Sequence, residues 1–379
     1  MFKSVLLLGH IRGIRLEIHV SWLVILALLL VTMTTGLRQQ FPEWSFTTAM
    51  TTALVTSLAF FLSIVLHELG HSLVAIRRGV PVRAITLFIF GGAAQMSRDT
   101  ESAKDEFWIA IAGPLVSFAL AALFLVLLAF LSGWYEPLTV ALGWLGAINL
   151  IVAVFNLIPG FPLDGGRVFR AAVWHYTGDA DKGMRAAVAG GRLVAYGLFA
   201  VAFWNLLVLG QLMGGIWLLL IGWFLLTMAE GHGRTYEMNK RLAGIKALDL
   251  AEGNVPRVNG HTTLDTWLNH QVLPWGQRAF MVEDNGGHLL GLVSLSDARP
   301  VPREQWLETT VAAVMTPLSE VVTVSPEESA ETVLQMMNER SLNQLPVMAN
   351  GQLSGWISRQ QLLRTLENQL ELRQLLRNR

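Results

Sequence analysis

The chain has 379 residues; 53% are hydrophobic, only 15% are charged, and 28 Lys+Arg balance 28 Asp+Glu. That composition excludes a disordered chain, and the zero net charge argues against a nucleic-acid partner. Without Cys there is no disulfide framework, no thiol nucleophile and no thiolate to hold a metal.

The charges are unevenly spread. Residues 1–230 carry 26 Lys, Arg, Asp and Glu side chains, and the 149 residues after them carry 30. The first part also contains apolar stretches able to cross a hydrocarbon core of about 30 Å. The sequence therefore predicts a membrane domain over 1–230, a linker over 231–244, a soluble part over 245–370 and a tail over 371–379. Spans are expected at about 20–36, 50–76, 107–131, 138–158, 189–209 and 214–230. Of the 14 Lys and Arg before residue 231, 13 fall on one side of these spans and only Arg38 on the other. By the basic-residue rule that side is cytoplasmic, so both termini and the soluble part face the cytoplasm of a multi-pass protein in the cell membrane.

In chain order, His10 and His19 flank the first span as interfacial groups. The second span contains His67-Glu68-Leu69-Gly70-His71. On a helix, i and i+4 share a face, so His67 and His71 can grip one metal ion, with Glu68 placed as general base. Two His and a Glu within five residues are costly in hydrocarbon and point to function. Residues 84–96 are rich in strand formers and too short to span, with Gly91-Gly92 at a turn or break. They predict a short re-entrant β element whose edge could pair with an extended substrate, making Phe88, Gly91 and Gly92 candidate substrate contacts. In the third span Pro114 predicts a kink. Asn149 and Asn205 read as helix–helix hydrogen-bonding groups.

The fourth span ends in Asn156-Leu157-Ile158-Pro159-Gly160-Phe161-Pro162-Leu163-Asp164-Gly165-Gly166-Arg167, where prolines and glycines break the helix. The second and fourth spans run in the same direction. Asp164 therefore emerges on the same side of the membrane as the histidines and at similar depth, as a candidate third ligand. Arg167 and Arg170 read as markers of the cytoplasmic interface.

HELGH, the Ala112–Ser117 stretch AGPLVS and NLIPGFPLDGGR together resemble the site-2 protease family of intramembrane zinc metalloproteases. The resemblance covers about 1–230. It implies Zn2+ held by His67, His71 and Asp164, Glu68 as catalytic acid/base, and Asn156 orienting substrate or polarising its carbonyl. It also implies regulated intramembrane proteolysis of transmembrane protein substrates within the lipid bilayer. Many relatives have Asn where this chain has Ser117. Two alternatives remain: a transporter or channel with a regulatory tail, and a zinc-binding relative without proteolytic activity.

The soluble part contains a duplication. Ala279 to Gly286 aligns with Gln344 to Gly351, and Gly291 to Ser294 with Gly355 to Ser358. Each unit reads strand, Asn-Gly turn, strand, helix. Ser325-Pro326-Glu327-Glu328 reads as a helix start. The pattern resembles a CBS pair, at about 245–305 and 311–370. That resemblance implies an adenine nucleotide (ATP or AMP) at Gly291, Ser294 and Asp297, and a possible homodimer through these units. The second unit has Gln361 at the acidic position. Leu362 to Leu376 predicts a terminal amphipathic helix. The fold class expected is thus a polytopic α-helical membrane protein with six transmembrane helices and a short β element, followed by a soluble α/β CBS pair.

Overall fold

The computed structural model describes residues 5–88, 91–96 and 100–365. The chain forms two compact units, 1–235 and 236–379. The first contains β1 (Val5–Ile11), β2 (Ile14–His19), α1 (Ser21–Gln40), α2 (Phe46–Arg77), β3 (Val82–Phe88), β4 (Gly91–Met96), α3 (Ala103–Leu131), α4 (Glu136–Asn156), α5 (Asp164–Thr177) and α6 (Ala180–Leu207). It is followed by α7 (Leu212–Leu242).

Helices α1, α2, α3, α4, α6 and α7 are long and apolar enough to cross a membrane. They are the six spans that the sequence predicts. Helix starts carry the expected caps: Ser45 accepts from the Thr48 amide, Ser102 from that of Asp105, and Asp179 from those of Asp181 and Lys182. Leu23, Val24, Leu28 and Val31 are exposed on α1, as suits a lipid-facing surface. Helix α2 is the most enclosed of the six. Its fully buried Ala49, Ala53, Ser57 and Ala75 leave room for neighbouring helices to approach. Asn149 on α4 donates to the Leu145 carbonyl and to Ser63 on α2, as expected of a helix–helix group.

The β element is larger than expected. Strands β3 and β4 form the hairpin read at 84–96, of which Ile89 and Phe90 lie outside the described residues. They belong to a four-stranded sheet in the order β1-β2-β3-β4, with β2 and β3 parallel and the other pairs antiparallel. β4 is an edge. Residues 5–19 gave no clear strand signal, because their short alternation lies between charged residues and a span.

In the second unit, β5 (Arg257–Asn259), β6 (Ala279–Glu283), β7 (Leu289–Ser294) and β8 (Thr316–Pro317) form one sheet. β9 (Gln344–Ala349) and β10 (Gln352–Ser358) form a hairpin. The two Asn-Gly turns differ. Asn350 and Gly351 have φ of 49° and 79°, the left-handed pair a two-residue hairpin requires. The first turn is longer, over 284–288: the Asp284 side chain accepts from the Gly286 and His288 amides, and Gly287 takes the positive φ. The helix expected to start near Ser325 begins at Ala330, with Ser329 accepting from the Thr332 amide. The terminal helix read at 362–376 lies largely outside the described residues.

Candidate metal centre

His67 and His71 occupy successive turns of α2 and are 5% and 3% exposed. Asp164 opens α5. His67 Nε2 and His71 Nε2 lie 3.1 and 3.2 Å from Asp164 Oδ2, and 3.2 Å from each other. Among the described residues this is the one group of three or more His, Asp or Glu side chains placed to hold a metal ion.

The donor chemistry fits a cation. His71 Nδ1 is 2.7 Å from the Ile109 carbonyl. A carbonyl only accepts, so Nδ1 carries the proton and Nε2 presents a lone pair. His67 Nδ1 is 2.9 Å from Ser117 Oγ, a partner able to orient the ring in the same way. A lone pair and a carboxylate oxygen facing each other at 3.2 Å attract when a proton or a metal ion lies between them. A tetrahedral zinc with bonds of about 2.0–2.1 Å would space its ligand atoms about 3.3 Å apart.

Helix α3 forms the back wall. Ile109, Gly113 and Ser117 recur every four residues and so share one face. A Cβ on Gly113 would stand 2.1 Å from His71 Nε2 and 2.6 Å from His67 Nε2, so only glycine fits. Ser117, the departure noted in the sequence, thus has a definite partner. The Ile109 carbonyl is a backbone group and carries no sequence signal.

Asp164 is delivered by a tightly packed loop. The loop's Gly160 lies on α6, where a Cβ would come within 2.4 Å of the Gly191 nitrogen. Gly165 and Gly166 do not break structure as expected; they lie in the first turn of α5, pressed against the loop backbone.

Glu68 meets the edge strand. A Cβ on Gly92 would stand 2.5 Å from Glu68 Cγ and 3.3 Å from Glu68 Oε1. Phe88 pairs with Gly91 at the hairpin end, one step from Gly92. Asn156 is the last residue of α4 and is half-buried. Among the described residues, its side chain makes no hydrogen bond to His67, His71 or Asp164.

Arg170 is enclosed by the protein. It is 7% exposed and donates through Nη1 to Glu106 on α3 at 3.1 Å; Glu106 is 1% exposed. Arg167 Nε lies 3.9 Å from the same carboxylate oxygen. Nothing in the sequence distinguishes Glu106 from an ordinary first-turn acid.

In the second unit, Gly291 faces β8, where a Cβ would meet the Thr316 carbonyl at 2.2 Å. Ser294 and Asp297 form a capping box on the short helix Leu295–Ala298, and Asp297 Oδ2 accepts from both the Ser294 amide and its hydroxyl. Ser358 repeats the cap in the second repeat by accepting from the Gln361 amide. All three residues named for a nucleotide therefore have local structural work.

Comparison with known proteins gives a consistent result. The profile described as Peptidase family M50 matches residues 55–142 and 133–198, and the CBS domain profile matches 311–368. A Synechocystis protein with a provisional zinc-metalloprotease name is 36% identical over 368 residues, covering 95% of this chain and 94% of that protein. A zinc metalloprotease of Methanocaldococcus jannaschii is 30% identical over 98% of both chains. The solved site-2 protease from the same organism covers 61% of this chain and 95% of its own, at 31% identity and a TM-score of 0.42.

Proposed function

The chain belongs to peptidase family M50, a family of multi-pass zinc metalloproteases, and on that premise we propose that it hydrolyses peptide bonds in or near the transmembrane segments of membrane proteins. The observation that carries this reading is the convergence of His67, His71 and Asp164 next to Glu68, with Glu68 against a sheet edge.

In this reading His67, His71 and Asp164 hold zinc. Zinc, when bound, supplies an activated water and a Lewis acid. Glu68 accepts the proton of the attacking water and passes it to the leaving amine nitrogen. A helical substrate must first unwind, because its carbonyls are engaged along the helix. The edge of β4 offers main-chain partners to the unwound segment, with open space beside Gly91, Gly92 set against Glu68 and Phe88 at the hairpin end. Asn156 polarises the carbonyl under attack. The centre and the second unit face the cytoplasm in the cell membrane, where a cut releases a cytoplasmic fragment. The CBS pair, as a homodimer, binds an adenine nucleotide that modulates cleavage.

The deciding experiment is cleavage of a reconstituted single-span substrate by wild type and Glu68→Gln, with zinc measured on both. Rates should fall by about 10²–10⁴-fold while zinc stays bound. Undiminished cleavage by Glu68→Gln would overturn the mechanism.

A further inference from the structure

We propose that Glu106 is a positioning residue for the metal centre: its buried carboxylate, gripped by Arg170 and Arg167, fixes the register in which α5 presents Asp164 to the two histidines. This rests on the metal-centre reading above. The ligand set is divided between helices, with two ligands on α2 and the third at the start of α5. Helix α3 touches both. Its Ile109, Gly113 and Ser117 border the imidazoles, and Glu106 lies one turn before Ile109. Arg167 and Arg170 follow Asp164 by three and six residues, within two turns of α5. Arg167 also reaches Met96 Sδ at 3.9 Å, at the end of β4. One carboxylate therefore ties together the helix that orients the histidines and the helix that bears the third ligand, and through Arg167 it is linked to the edge strand.

An acid in the first turn of a helix can serve simply to complement the helix dipole. Asp105 does that next door: it hydrogen-bonds the Ser102 hydroxyl and pairs with Arg78 while remaining about a third exposed. Glu106 is different because it is enclosed. Removing an ion pair from water costs about as much as its attraction returns, and well-packed apolar residues would serve stability equally well. What the pair adds is direction. Arg170 Nη1 donates to Glu106 Oε1 at 3.1 Å, and because a hydrogen bond weakens as it bends, that bond restrains rotation of α5 about its axis. Groups that orient metal ligands without touching the metal typically change its affinity by about 10–100-fold.

The test uses the full chain in detergent with three readouts: zinc retention against a graded chelator, the visible spectrum of the cobalt(II)-loaded protein, and thermal unfolding. Glu106→Gln should raise the zinc dissociation constant by about 10–100-fold and alter the cobalt bands, because Asp164 no longer holds its place. The double variant Glu106→Met with Arg170→Leu restores an apolar fit, so it should unfold near the wild-type temperature yet still bind zinc more weakly. Wild-type zinc affinity and cobalt bands in either folded variant would overturn the proposal. Asp164→Asn in an otherwise wild-type chain separates the two levels. If it leaves zinc affinity unchanged, the ligand assignment itself fails; if it weakens zinc while Glu106→Gln does not, only the role of Glu106 fails.

Discussion

At the residue scale, two imidazole rings can converge on one point because α3 has no side chain at Gly113. An alanine there would be favoured by helix propensity by about 1 kcal/mol. It would also place a methyl carbon 2.1 Å from His71 Nε2, inside the space the ligand atoms need. Gly113→Ala should therefore yield a helical, membrane-inserted protein with little bound zinc, as checked by circular dichroism and metal analysis of one sample. The spacing of His67, Glu68 and His71 made this centre legible from sequence, since i and i+4 on a helix leave few other uses for such residues in hydrocarbon. Asp164 was legible only through the direction of the spans. Gly113 was not, because a glycine that clears space for another helix's side chain looks like any helix glycine. Nor was the Ile109 carbonyl, which every residue possesses.

Among the elements, α5 shows how punctuation can mislead. Pro159, Gly160, Pro162, Gly165 and Gly166 all signal a break, and the segment after the fourth span reads as a loop. The break ends at Leu163, and a 14-residue helix follows, closed by Gly178 at φ 69°. Its glycines are there for close backbone approach, a tertiary cause that local propensity does not carry. The repeat in the second unit was legible because two strands and a helix recur in the same order. The difference between its turns was not, since Asp284 competes with the Asn-Gly step for the same amides. That difference is testable. The His288 amide, then its side chain and the Gly286 amide, hold the Asp284 carboxyl below its ordinary range. Its contribution is present above the ordinary carboxylate pKa and is lost as pH falls through the lowered one. Hydrogen exchange at 284–288 should accelerate on acidification, and exchange at 350–351 should not, after correction for intrinsic rates. The capping box gives a second prediction. Asp297→Ala should destabilise the first repeat by about 1 kcal/mol in thermal unfolding with no nucleotide present.

For the whole molecule, six apolar helices and a charged second unit were visible as a change in composition, because lipid and water select different surfaces. Coupling between catalysis and nucleotide is a matter of populations: a ligand shifts cleavage only by binding one conformation better than another. Cleavage rates at saturating ATP or AMP should differ from the nucleotide-free rate, and equal rates would sink the regulatory proposal.

The pairing of β2 with β3 carries a consequence for how the protein is made. Arg15, Leu16, Glu17 and Ile18 lie beside Ala84, Ile85, Thr86 and Leu87 in parallel register, yet two span-capable helices, α1 and α2, separate them in the chain. Two crossings return a chain to the side it left. The ladder therefore closes only when α1 and α2 cross the membrane together; a chain in which one crossed without the other would leave β3 across the bilayer from β2.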